Sequence, residues 1–250
     1  MIGKLIWKEI RENFINSMIF AGVILTATIY GTLKNFGDIK ALGALSILIA
    51  VLSFVMVLAY AIYRGYSTIK REKDRNTLEF LLSLPVDGRE IVVSKFLAFA
   101  IEALFLSLCI TIFSHLPLLT LLFSKAVGSV EFKSGAMTIT YITFHFFLLS
   151  LFVFIVFQFY EILILSLKTK SFFLNALLFF AYLYIMSAFM SFLKKLFNFL
   201  PQGAPLHRTF GGEELIVLSG LDCQGLAAGA LASVALIILG IFLFNKKVEV

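Results

Sequence analysis

Charge is what this chain has least of. Only 14% of its 250 residues are Asp, Glu, Lys or Arg, where an ordinary soluble domain carries about a quarter. With 60% hydrophobic residues, a chain of this length has no means of hiding its apolar surface from water, so a soluble fold is excluded. Cysteine is scarce as well. Cys109 lies in an apolar run and Cys223 in a loop; they read as two unpaired thiols, with no disulfide framework or metal site. The phosphate loop Gly-x-x-x-x-Gly-Lys-Ser/Thr is missing: the nearest spacing, Gly220 to Gly225, continues with Leu-Ala, so no side chain reaches a β- or γ-phosphate. His-Glu-x-x-His, Cys-x-x-Cys and nucleophile-elbow patterns are missing too. The chain is expected to hold no metal and no cofactor, and any transport it performs must be powered by a separate subunit.

What it does have is length in apolar runs. Six are long enough to cross a bilayer core as helices, over about 14–33, 41–63, 91–114, 138–167, 172–192 and 224–244. Barrel-type alternation is lacking, and helices satisfy their own backbone in lipid. The reading is an all-α polytopic membrane protein. Both termini are expected in the cytoplasm, because that arrangement puts Lys and Arg about two to one on the inner side. Lys194 and Lys195 then fall outside and snorkel from the fifth span. The formal charge of +6 reflects this loop bias, not nucleic-acid binding. Residues 1–13, "MIGKLIWKEIREN", mix acids with bases and read as no cleavable signal. They place Ile6, Trp7, Ile10 and Phe14 opposite Lys4, Lys8 and Arg11, the pattern of an amphipathic helix lying in the headgroup plane. An ordinary extension of the first span is the alternative.

Three ionisable side chains fall within spans: Glu102, His145 and Glu161. A charge at bilayer depth is costly and faces a cavity or a partner, so all three are candidates for a pathway. Each also has a structural reading: a satisfied carboxyl for Glu102, contact with Lys168, Lys170 or headgroups for Glu161, and a helix–helix hydrogen bond for His145. In the last span Gly225, Gly229 and Ser233 recur every four residues, which lets another helix approach closely. The 29 phenylalanines suit an aromatic-lined cavity for amphipathic cargo, although lipid-facing packing explains them as well. The outer loop 193–223 is broken by Pro201, Pro205, Gly211 and Gly212, and its "EELIVLSGL" reads as a short helix dipping back toward the membrane.

The exception to all this apolarity is residues 68–90. Asn76 and Glu79 form a weak capping box, Leu78, Leu81 and Leu82 share a helix face, and Pro85 stops the helix. Leucines rimmed by Glu72, Lys73, Asp74, Arg75, Arg89 and Glu90 make a docking surface for a protein or for lipid headgroups.

"REKDRNTLEFLLSLPVDGREIVVSK" resembles the segment between spans two and three of permease subunits of type-2 ABC exporters. The matching positions are Glu72, Arg75, Thr77, Leu78, Glu79, Leu81, Leu82, Ser83, Pro85, Glu90, Ile91 and Lys95; Asn76 and Ser94 stand where glycine is usual. The resemblance implies a coupling helix resting in a groove of a cytoplasmic ATP-binding subunit, which binds ATP and Mg²⁺, with Glu72, Arg75, Thr77, Leu78, Glu79, Leu81, Leu82 and Pro85 at the contact. It also implies a second permease copy or a related chain as partner, in a cell membrane. A polytopic enzyme acting on lipid and a non-transporting sensor or scaffold are the alternative classes.

Overall fold

In hydrocarbon a backbone carbonyl or amide has no solvent partner, so long apolar runs close their own hydrogen bonds as helices. The computed structural model describes residues 2–36, 39–74, 87–123, 129–167, 171–200, 206–210, 213–217 and 223–247. Within them are six helices long and apolar enough to cross a membrane: α1 Ile2–Lys34, α2 Ile39–Asp74, α3 Gly88–Phe123, α4 Ser129–Leu167, α5 Phe172–Leu196 and α6 Cys223–Lys247. The protein is a multi-pass membrane protein. At 25 residues each, α5 and α6 are about 37 Å long, whereas the 36 residues of α2 and of α3 reach about 54 Å. The two longer helices flank residues 75–86, so part of the 68–90 segment is helix end: α2 continues to Asp74 and α3 begins at Gly88.

Two expectations meet a different structure. Residues 2–13 are not a separate in-plane helix; α1 is continuous from Ile2 to Lys34. Its buried stripe is polar at the N-terminal end, with Glu9, Asn13 and Ser17 facing the bundle and Trp7 left 67% exposed on the outside. Lys8 and Glu9 have partners on other helices, which a helix lying in the headgroups would forgo. Between α5 and α6, the expected short helix is instead a strand. Glu213–Val217 (β2) pairs antiparallel with Leu206–Phe210 (β1), from Leu206 opposite Val217 to Phe210 opposite Glu213. The Gly211-Gly212 pair between the two runs is a two-residue hairpin signal, and it outweighs the apolar content of the second run.

At the centre α2, α3 and α4 pack on one another; α1 lies against α3, α6 against α4, and α5 on the periphery beside α6. Phe99 of α3 stacks on Phe154 of α4 with ring centroids 4.2 Å apart, and Ile24, Val57, Ala61, Leu106, Ile155 and Leu236 complete the main core. A second cluster of Ile69, Ile91, Val92, Ile162 and Phe244 closes the end at which α2 and α6 finish and α3 begins. Some span hydroxyls bond within their own helix: Thr28 donates to the Ile24 carbonyl at 2.8 Å and Thr32 to that of Thr28 at 2.7 Å.

α2 and α4 come close together at Gly65. A Cβ there would meet the Phe154 carbonyl oxygen and Phe157 Cβ, each at 2.7 Å. Backbone on one side and a packed ring stem on the other leave nothing to yield. Gly65→Val is expected to destabilise the bundle by about 1–3 kcal/mol through overpacking, read as a lowered unfolding temperature of the protein in nanodiscs. An unchanged temperature would show that the two helices are not held at this spacing.

Candidate functional site

Charges that enter a low-dielectric interior must be paired, because removing each from water costs several kcal/mol. Three helices of this bundle contribute to one such arrangement. α1 supplies Lys8 and Glu9, α2 supplies Arg64 and Glu72, and α3 supplies Lys95 and Glu102. Three cations face three carboxylates.

The pairs form a chain. The Arg64 Nη2 donates to Glu102 Oε1 at 3.0 Å, with the two side chains 1% and 3% exposed. Tyr60, one turn before Arg64, donates to the other oxygen, Oε2, at 2.8 Å. Arg64 Nη1 also lies 4.0 Å from Glu9 Oε2. Lys95 Nζ binds Glu9 Oε1 at 2.5 Å and the Thr68 carbonyl at 3.3 Å, and stands 3.6 Å from Glu72 Oε1. Lys8 donates to that same Glu72 oxygen at 2.8 Å. Asn13 extends the set, giving Nδ2 to the Glu9 carbonyl at 2.7 Å and accepting from Arg71 at 3.3 Å.

Arg64 is the shared member. It sits between two carboxylates, near one and further from the other, and its Nε and Nη1 make no hydrogen bond among the described residues. A void of about 10 Å³ adjoins it, lined by Glu9, Thr68, Arg71 and Glu72 among others, about the room of a single water. Such an arginine can exchange carboxylates when the helices move. Ten residues separate Arg64 from the end of α2 and fourteen separate Glu102 from the start of α3, about 15 and 21 Å. The network therefore runs from the helix ends that flank residues 75–86 deep into the bundle.

Of the residues singled out in the sequence, Glu72 belongs to this network and is buried. Arg75, Thr77, Leu78, Glu79, Leu81, Leu82 and Pro85 lie outside the described residues. Glu102 is engaged between helices, through Tyr60 and Arg64. Glu161 is buried on α4, and the cations acting on it are Lys70 and Lys73 of α2; Lys168 and Lys170 lie outside the described residues. His145 is elsewhere, on the wall of a cavity between α4, α5 and α6. Glu9, Arg64 and Lys95 were missed as site residues because each lies near a span end and counts there as a loop charge. Spacing was the available signal: Lys95 and Glu102 are seven apart, Tyr60, Arg64 and Thr68 four apart, and Glu9, Asn13 and Ser17 four apart, each set on one helix face.

Breaking one partner of a buried pair strands the other, at a cost of about 3–5 kcal/mol, whereas replacing both with apolar groups is far cheaper. Glu102→Leu is therefore expected to lower the unfolding temperature sharply in nanodiscs, and Arg64→Met with Glu102→Leu to regain at least half of the loss. Additive losses in this cycle would contradict the pairing.

The geometry can be set beside known proteins. No curated protein and no solved structure matches the chain. A family model described as ABC-2 family transporter protein matches residues 6–187, which takes in α1 to α4, most of α5 and every member of the ion network. Membership makes this a transmembrane subunit that has no ATPase site of its own and works with an ATP-binding subunit. From that match over most of its length, the chain belongs to the ABC-2 family of transporter proteins.

Proposed function

We propose that this chain is the permease subunit of an ATP-driven exporter, forming the translocation path as a dimer with itself or with a related chain. Residues 75–86 dock on the cytoplasmic ATP-binding subunit, which binds ATP and Mg²⁺. Both termini are cytoplasmic, the membrane is the plasma or inner membrane, and the cargo is hydrophobic or amphipathic.

One observation carries this reading: Glu72 and Lys95, on the two helices that lead into and out of the docking segment, share a buried ion network with α1 and with Arg64–Glu102. A push on residues 75–86 shifts the ends of α2 and α3. Because Lys95 holds Glu9 and stands beside Glu72, the shift reaches α1 without being absorbed by lipid. Arg64 can then move between Glu102 and Glu9, giving the bundle two charge-satisfied arrangements. In a low dielectric, intermediate positions that leave a charge unpaired are penalised, so the movement is a switch between two packings. Glu102 serves here as an inter-helix carboxylate, and His145 lies on the cargo side.

The docking face consists of Leu78, Leu81 and Leu82, and burying one leucine is worth about 1.5–3 kcal/mol. Leu78→Asp with Leu81→Asp is expected to weaken capture of the ATP-binding subunit at least tenfold, since about 1.4 kcal/mol makes that factor, while the helices still insert. Charge reversal at Arg75 or Glu79 should do less, as rim pairs contribute up to about 1 kcal/mol. Full retention of the ATPase by the double variant would reject the docking assignment. Sidedness has its own test. In a background with Cys109 and Cys223 replaced by serine, Asp74→Cys and Lys247→Cys should resist a membrane-impermeant thiol reagent added outside intact cells; rapid labelling of either would invert the topology.

A further inference from the structure

Gly88, the first residue of α3, is buried, and its backbone conformation is one that alanine also adopts. What requires glycine here is room. A Cβ would overlap Asn245 Oδ1 and stand 2.7 Å from Phe244 Cδ1, so the last turn of α6 sits directly on the backbone where α3 begins. The contact is one of packing. Asn245 Oδ1 is buried without a hydrogen-bond partner among the described residues, and Phe244 is 1% exposed among Ile69 of α2, Ile91 and Val92 of α3 and Ile162 of α4. Only Asp87, whose carbonyl accepts from the Glu90 amide at 2.8 Å, separates this first turn from residues 75–86.

α6 meets α4 at one level and parts from it at another. At Gly240, one turn before Phe244, a Cβ would meet Ile162 Cδ1 at 3.3 Å and Phe159 Cδ2 at 3.7 Å. Ile162 is itself buried, so this bearing does not yield. At Gly229 a Cβ would meet nothing within 4 Å. There a cavity of about 660 Å³ separates the two helices, lined by Leu149, Phe152 and Ile155 of α4 and by Gly229 and Ser233 of α6 among others. On another side Ala228 and Ala232 pack on Leu193 of α5, the peripheral helix, which follows α6. Since α6 is continuous from Cys223 to Lys247 and contains no proline, it tilts as a rod on Gly240. Its arms are five residues to Asn245 and eleven to Gly229, about 7 and 16 Å. A displacement of the last turn therefore reaches the cavity reversed in direction and about doubled.

We propose that Phe244 and Asn245 are positioning residues: through them the start of α3 sets the tilt of α6, and with it the width of the cavity between α4 and α6. The route is separate from the ion network, whose members lie on α1, α2 and α3. In the exporter, a push on residues 75–86 reaches the cavity along it. That use rests on the permease reading above, whereas the mechanical tie does not.

The tie is read in the full chain in nanodiscs, with Cys109 and Cys223 replaced by serine. Bimane on Gly229→Cys reports the cavity width through quenching by Leu149→Trp on the facing wall. Gly88→Ala is expected to change the quenching at least about twofold, although alanine is the better helix former. Adding Asn245→Ala removes the overlapping atom and should return most of that change. Gly22→Ala, where a Cβ meets nothing, should leave the quenching as it was. Unchanged quenching in Gly88→Ala, or an equal change in Gly22→Ala, would overturn the proposal. So would failure of Asn245→Ala to rescue, which would make the effect a general loosening of the bundle. In the complex, trapping the ATP-binding subunit with ATP, Mg²⁺ and vanadate should change the quenching too. An oxidised Gly88→Cys with Asn245→Cys disulfide should preserve that change, since the two helix ends travel together; its loss would show that they must part, and would equally overturn the proposal. If trapping does nothing while Gly88→Ala still alters the quenching, the tie stands and the exporter reading fails.

Discussion

Five charged side chains on three helices, Glu9, Arg64, Glu72, Lys95 and Glu102, are held away from water and impose the strictest condition on this bundle: each has to meet an opposite charge on a neighbouring helix. Hydrophobic burial does not dictate that contact, since lipid tails are as apolar as the leucines that face them. It is the pairing of Glu9 with Lys95 and of Arg64 with Glu102 that fixes the rotation and height of α1, α2 and α3 relative to one another. The close approach at Gly65 and the Phe99–Phe154 stack then set how α4 fits against them. α5, with few ties to the centre, is positioned chiefly by α6 and by the Tyr182 hydroxyl, which donates to the Val156 carbonyl at 3.0 Å.

In the proposed exporter, the same condition acts as a gearbox between the docking segment and the spans. A purely apolar interface would let helices slide in small increments at little cost. An arginine between two carboxylates divides the motion into a few states, because a half-way position leaves charge unsatisfied. The cavity by α6 lies apart from this network, across α4. Tyr141 and His145 line it near one end of α4, and Phe154, at the level of Phe99, looks to the opposite side. A central helix with a charge-linked neighbour on one flank and a groove on the other can pass displacement between them.

Much of this was legible in the residues. The number of spans and their centres follow from apolar runs, which no other solvent would tolerate, and the docking segment stands out because its charge density breaks the pattern. The ion network was less legible. Hydropathy averages over a window, so Arg64 and Lys95 at span ends look like loop charges, and only their seven- and four-residue spacing betrays a shared face. The amphipathic pattern of 1–13 was read correctly as two faces but assigned to the wrong surroundings: Glu9 and Asn13 turn toward protein, and Trp7 turns out. The hairpin was hidden because "EELIV" has apolar content compatible with either helix or strand, and only the Gly-Gly before it distinguishes the two.

The buried polar stripe of α1 also bears on how the protein is made. Glu9, Asn13 and Ser17 are synthesised before the lysine that holds Glu9, which lies 86 residues further along the chain. Until α3 is synthesised, the first helix is the one least suited to stand alone in lipid. The buried charge of α1 is thus satisfied only when α3 stands beside it.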